Sequence, residues 1–255
     1  MNPDRFYIEL PHQTALFGSA LRGVDPSRQV PTCPDWTVAD LVEHVGIAHR
    51  WAAVMVERRA RRPITKAEAD DRDIPSGPNG RLAWLLAGAR RLASAVENTC
   101  PETRVWTWGP VKTAGFWLRR ITHDTLVHRV DAELTAGLDV LIDSDLAADG
   151  ISDLLETFAV LPTIDDFPQL AELCRDGETL HFHATDQGLG AEGEWLVRRG
   201  ESGLQWEHGH GHADVAVRGY AADLLQVLTR RAAPDRVEVL GDDEVFARWL
   251  ENAVF

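Results

Sequence analysis

Between Phe116 and Gly137 the chain reads FWLRRITHDTLVHRVDAELTAG, with neither proline nor an internal glycine. A run of that length without a breaker reads as one long helix, and its polar residues are not scattered. Asp124 and His128 stand four residues apart, so they project from one face about a turn from each other. Arg120, one turn earlier, and Asp131, three residues later, extend the row. Phe116, Trp117, Leu118, Ile121, Leu126 and Val127 bound it. Acid, imidazole and guanidinium in one row amid apolar neighbours are unusual for a plain surface helix. A metal site needs one further ligand from elsewhere, and His44, on an earlier helix, offers it.

The chain is long enough to hold such a helix within two domains: 255 residues, 44% of them hydrophobic, with nine tryptophans. A net charge of −14 argues against nucleic acid and anionic membranes as partners, because both require a basic footprint. Cys33, Cys100 and Cys174 form no CxxC pair and no disulfide framework, which fits a reducing cytoplasm. The N-terminus has no basic segment leading into an apolar one, and no stretch approaches the ~20 apolar residues of a membrane span. The expectation is a cytoplasmic protein, a monomer or homodimer.

Apolar periodicity organises the chain up to about residue 162. A first helix covers residues 4 to 22, where Pro11 either kinks it or marks its start. Three prolines between residues 23 and 36 give an ordered, non-helical connection. Thr37 caps the next helix with Asp40 as its capping-box partner, and the stripe Val38, Leu41, Val42, Val45, Ala48, Ala52, Met55 follows. His44 borders that buried face. A third helix runs from about Arg81 to Asn98, and another from Ser144 to Leu161. Together these form a helical bundle of four or five elements, assigned to residues 1–162. From Pro162 the texture changes. A linker, TIDDFPQ, precedes short strand-like segments LHFHA, EWLVR, GLQWEH and DVAVRG, expected to pair antiparallel. A helix from Tyr220 to Arg231, a strand VEVLG and a helix Asp243–Asn252 complete an α+β domain over residues 163–255.

His44, Asp124 and His128 offer two imidazoles and one carboxylate. Zinc accepts that set and keeps a fourth position open for water or a thiolate. Next to the cation a thiol gives up its proton, which supplies a nucleophile at neutral pH. From spacing alone, a buried Asp–His hydrogen bond beside an unrelated His44 explains the same residues.

The segments VPTCPDWTVADLVEHVGIAHRW, VWTWGPVKTAGFWLRRITHDTLVHRVDAE and HADVAVRGYAADLLQVL resemble the mycothiol-dependent maleylpyruvate isomerase family. The resemblance implies a DinB-like four-helix bundle joined to a small sterol-carrier-like domain. It also implies a divalent metal, usually zinc, held by a His of a DLxxH motif and a Glu and a His of an HExxxH motif. Those positions fall on His44, Asp124 and His128. The family's Glu is an Asp here, one methylene shorter, so the helix must come closer or a water must intervene. The resemblance further implies a C-terminal arginine at the site, with Arg218, Arg236 and Arg248 as candidates.

Other residues carry weaker readings. Arg120 is the one arginine suited to hold an anionic group of a substrate or thiol, being one turn from Asp124. His123 and His49 lie about 100° and 140° around their helices from Asp124 and His44, so neither is read as a ligand. Trp36, Trp106, Trp108 and Trp117 read as packing residues, with Trp106 or Trp108 also suited to a pocket mouth. Cys33 and Cys100 lack an evident base and read as structural. The alternating His208, His210 and His212 read as a flexible turn ahead of a metal site. The expected function is a metal-dependent, mycothiol-using enzyme whose metal-bound thiolate attacks an electrophilic small molecule by transfer or conjugation. Maleylpyruvate isomerase-type cis–trans isomerisation and a metal-free small-molecule binding or regulatory module stand as alternatives. A non-haem iron oxygenase shares the ligand set but takes its ligands from barrel strands, not helices.

Overall fold

The computed structural model describes residues 2–65, 68–69, 74–75, 77–161, 177–200 and 203–253. The chain is α+β and falls into two compact units, 2–140 and 141–255. The linker read at TIDDFPQ lies outside the described residues.

The first unit is built on four helices: α1 (Phe6–Ala20), α2 (Val38–Glu57), α3 (Pro78–Thr99) and α4 (Ala114–Ala136). A short antiparallel hairpin, β1 (Gln29–Val30) and β2 (Cys33–Thr37), fills the connection between α1 and α2. Pro11 lies inside α1, so it does not mark the start of that helix. The Thr37–Asp40 capping box closes reciprocally at the head of α2. Gly137, with φ of +72°, ends α4 in the left-handed conformation that glycine adopts without strain.

α4 is the central helix, in contact with α1, α2 and α3, and it is buried along most of its length. Its buried threonines donate to the carbonyls four residues back, Thr122 to Leu118 and Thr125 to Ile121, each at 2.7 Å. That back-bonding gives each hydroxyl proton an acceptor within the helix itself. α2 and α3 approach closely because Gly46 leaves room for the Trp84 ring: a Cβ there would stand 1.8 Å from it. Arg50 lies over the same ring at 4.0 Å and donates to the Trp84 carbonyl.

The second unit is led by α5 (Ser144–Val160), which periodicity alone grouped with the bundle. Its apolar face packs with elements of the second unit. The Trp195 indole donates to Ser152, and Phe158 meets Trp249 edge-on at 6.0 Å. The strands are β3 (Thr179–Ala184), β4 (Glu194–Gly200), β5 (Gly203–His208), β6 (Val215–Gly219) and β7 (Glu238–Gly241). The helices α6 (Ala221–Leu228) and α7 (Asp243–Asn252) accompany them. The sheet order is β5-β4-β3-β6-β7, antiparallel throughout except for β3 with β6. The parallel pair departs from the expected antiparallel pattern because residues 209–214 cross from one edge strand to the far side of β3. Leu180 and Phe182 turn to the buried face, where Phe182 meets Trp249 at 5.8 Å; His181 and His183 alternate to the other. No helix among the described residues is long and apolar enough to cross a membrane.

Candidate metal centre in the helical unit

Helices α2 and α4 bring His44, Asp124 and His128 together, with one potential ligand atom from each lying within 4.8 Å of the others. The two imidazoles meet edge to face, 4.8 Å between centroids. Ligand atoms around a tetrahedral zinc ion sit roughly 3.4 Å apart, given bonds of about 2.1 Å. The set therefore fits such an ion after a modest inward movement of flexible side chains, even with Asp in the carboxylate position.

The surroundings fix how the rings are turned. His128 Nδ1 lies 2.8 Å from Asp131 Oδ2, one turn along α4 and fully buried. A carboxylate at that distance holds the proton on Nδ1 and leaves Nε2 with its lone pair, the tautomer a metal requires. Asp131 is itself fixed by the hairpin: Thr32 Oγ1 donates to its other oxygen at 2.5 Å, and Cys33 Sγ lies 3.7 Å from Oδ2. Trp36 of β2 covers both rings, 4.7 Å from His44 and 5.8 Å from His128. Thr32 was not read as a site residue, and Trp36 was read as packing, because hairpin positions carry no helical period. Their sequence signals were the three prolines around them and their place in the first segment that carries the family resemblance.

Charge at the site favours an ionised acid. Burial works against ionising Asp124, but the charges of His128, Arg120 and His44 outweigh it and hold its carboxyl below the usual range. Arg120 reaches Asp124 at 3.4 Å. His49, fully buried on α2, bonds Thr125 Oγ1 at 2.9 Å, and burial brings its pKa down to about 4. That hydroxyl already donates to the Ile121 carbonyl, so His49 Nε2 is the donor and the ring is neutral at pH 7. His123 packs edge-on against Phe6 at 5.6 Å. Neither ring belongs to the three-residue cluster.

The tryptophans of the α3–α4 loop pack rather than gape. Trp106 and Trp108 join Trp51 and Trp117 in one aromatic cluster, and Trp117 donates its indole N–H to the Trp106 carbonyl at 2.9 Å. In the other unit, Arg218 faces Glu238, Arg236 faces Asp223, and Arg248 pairs with Glu178.

The family model described as the mycothiol maleylpyruvate isomerase N-terminal domain matches residues 9–133, and its C-terminal counterpart matches residues 145–248. The chain belongs to the mycothiol maleylpyruvate isomerase family. It is accordingly an enzyme, and both of its units are accounted for by that membership. Among solved structures, a mycothiol-dependent maleylpyruvate isomerase shares the fold: 15% identity, 94% of this chain and 93% of that one, TM-score 0.59. A histidine-to-alanine mutant of a mycothiol-dependent maleylpyruvate isomerase superposes with TM-score 0.57 at 16% identity, over 94% of this chain and 93% of that one. A UbiJ-SCP2 ubiquinone synthesis protein covers 42% of this chain and 93% of its own at 24% identity, with a TM-score of 0.31 that carries no argument. No curated protein matches the chain in sequence.

Proposed function

We propose that the chain is a metal-dependent, mycothiol-using enzyme that transfers the thiol to an electrophilic small molecule. The observation that carries the reading is the convergence of His44, Asp124 and His128, with Asp131 setting the tautomer of His128. A divalent ion held there, zinc by the chemistry of the donors, would acidify a thiol so that the thiolate is present at neutral pH.

The chain's own residues supply the rest. His44 and His128 would each offer a ring nitrogen to the ion, and Asp124 a carboxylate whose ionised form its neighbours favour. Arg120, beside that carboxylate, is the group placed to hold an anionic part of thiol or substrate. Trp36 limits how far the two rings can turn. Addition of a thiolate to an activated double bond forms a carbon–sulfur bond. Keeping that bond, with a proton from water taken up at the neighbouring carbon, yields a conjugate, whereas rotation followed by loss of the thiolate re-forms the double bond and yields the isomer. Thiol transfer is the reading adopted, because maleylpyruvate isomerisation is one narrow activity within the family.

The test is the zinc content and thiol consumption of the purified protein beside its His128→Ala variant. Wild type should retain zinc at this site and consume mycothiol with an electrophile, and the variant should lose both. Equal and negligible zinc at this site in the two proteins, with no metal-dependent thiol loss, would leave a metal-free binding module.

A further inference from the structure

The sheet of the second unit gathers another set of donors. His181 and His183, two residues apart on β3, share the face opposite Leu180 and Phe182. Glu194 opens β4 directly across from His183. His210 arrives from the segment between β5 and β6. Because β5 lies at one edge and β6 on the far side of β3, that segment must cross both β4 and β3. Three strand spacings amount to roughly 14 Å, which six residues can span only by running across the sheet face. The strap runs close over β4 at Gly211, where a Cβ would stand 3.0 Å from the end of the Leu196 side chain. The backbone N–H of Gly209 and the His208 ring both bond the Glu194 carbonyl. Asp214 ties the far end down through Thr179. What sequence alone gives as a flexible turn is therefore a strap fastened at both ends.

His210 thereby sits over the β3 pair. Three ring nitrogens converge on one oxygen, Glu194 Oε2: His210 Nδ1 at 2.6 Å, His181 Nε2 at 2.9 Å and His183 Nδ1 at 3.5 Å. One donor atom from each of the four residues lies within 4.8 Å of the others. Three imidazoles and one carboxylate drawn from three separate segments of chain are far more than a hydrogen-bonded sheet face requires.

We propose that His181, His183, Glu194 and His210 form a second divalent-metal site, separate from the one in the helical unit, that takes a borderline ion such as zinc. Three nitrogens and one oxygen complete a tetrahedral shell, so this site has no position left for substrate, and its role is structural. On binding, each ring turns a lone pair toward the ion in place of the N–H that faces Glu194 and carries its single proton on the other nitrogen, so a neutral imidazole gives up no net proton. Its effect is to clamp the crossing strap to β3 and β4.

The test is zinc titration of the full chain, stripped with a chelator, against a competing indicator at pH 7.5. One sub-micromolar equivalent should survive in His128→Ala and vanish in the double variant His183→Ala/His210→Ala. Zinc should raise the melting temperature of His128→Ala, and adding His183→Ala/His210→Ala to that background should abolish the rise. Glu194→Gln keeps the size of the side chain and should weaken this equivalent by more than the roughly 10–100-fold cost of disturbing a ligand's support. The proposal is overturned if folded double variant and wild type bind the same number of equivalents, or if zinc binds here only above about 10 μM. Because the two sites are removed by different substitutions, loss of one reading leaves the other standing.

Discussion

Two buried residues beside the helical centre make separate predictions. Asp131 does not belong to the ligand set, yet it orients a ring that does. Asp131→Asn should lower zinc affinity about 10–100-fold while His44, Asp124 and His128 remain in place, as an indicator competition would read. His49 governs stability instead. Its folded pKa of about 4 lies below the 6.5 of an exposed ring, so the unfolded chain binds its proton first as the pH falls. The stability that the neutral ring secures is complete above pH 6.5 and is lost progressively down to about pH 4, roughly 3 kcal/mol in all. Urea melts between pH 7.5 and 4.5 should show that acid limb in wild type, and His49→Gln should flatten it. The proximity of His44, Asp124 and His128 was legible because two of them repeat at four residues and the third closes the DLxxH motif of the family resemblance. His49 was legible only as a residue facing elsewhere, since spacing does not report burial.

At the scale of elements, periodicity located the helices well, but did not say what they pack against. α5 shows an apolar stripe like those of α2 and α3, and nothing in it announces that Trp195 and Trp249 cover it. Helix contacts that depend on small residues are equally silent. Gly46→Ala would drive a methyl into the Trp84 ring and separate α2 from α3, at a cost of about 1–3 kcal/mol or more, visible as a lower melting temperature. Thr37→Ala removes one half of the capping box and should cost about 1 kcal/mol by chemical denaturation, with zinc binding preserved. The capping box was readable from Thr37 and Asp40, three residues apart. The Gly46 contact was not, because its partner lies in another helix.

For the whole molecule, the division at Val140 and Leu141 sets what can stand alone. A fragment of residues 141–255 should give a cooperative melt by circular dichroism. One beginning at residue 163, where the texture of the sequence changes, should not, since it lacks the helix that covers Trp195. The two-unit α+β plan was legible from that change of texture and from motifs spread over most of the chain. The meeting of His210 with His181 and His183 was not legible. It follows from a strand order in which residues 27 and 29 positions apart are brought together by a crossing, and local pattern has no access to that.

The hairpin tip gives the helical centre a remote adjustment. Asp131 divides its charge between Thr32 and the imidazole of His128, so a change at Thr32 redistributes electron density on the far nitrogen without entering the reaction space. Thr32→Val would leave Asp131 more strongly basic toward the ring. Evolution could thus retune the His128 ring from the hairpin tip, leaving the three clustered side chains themselves unchanged.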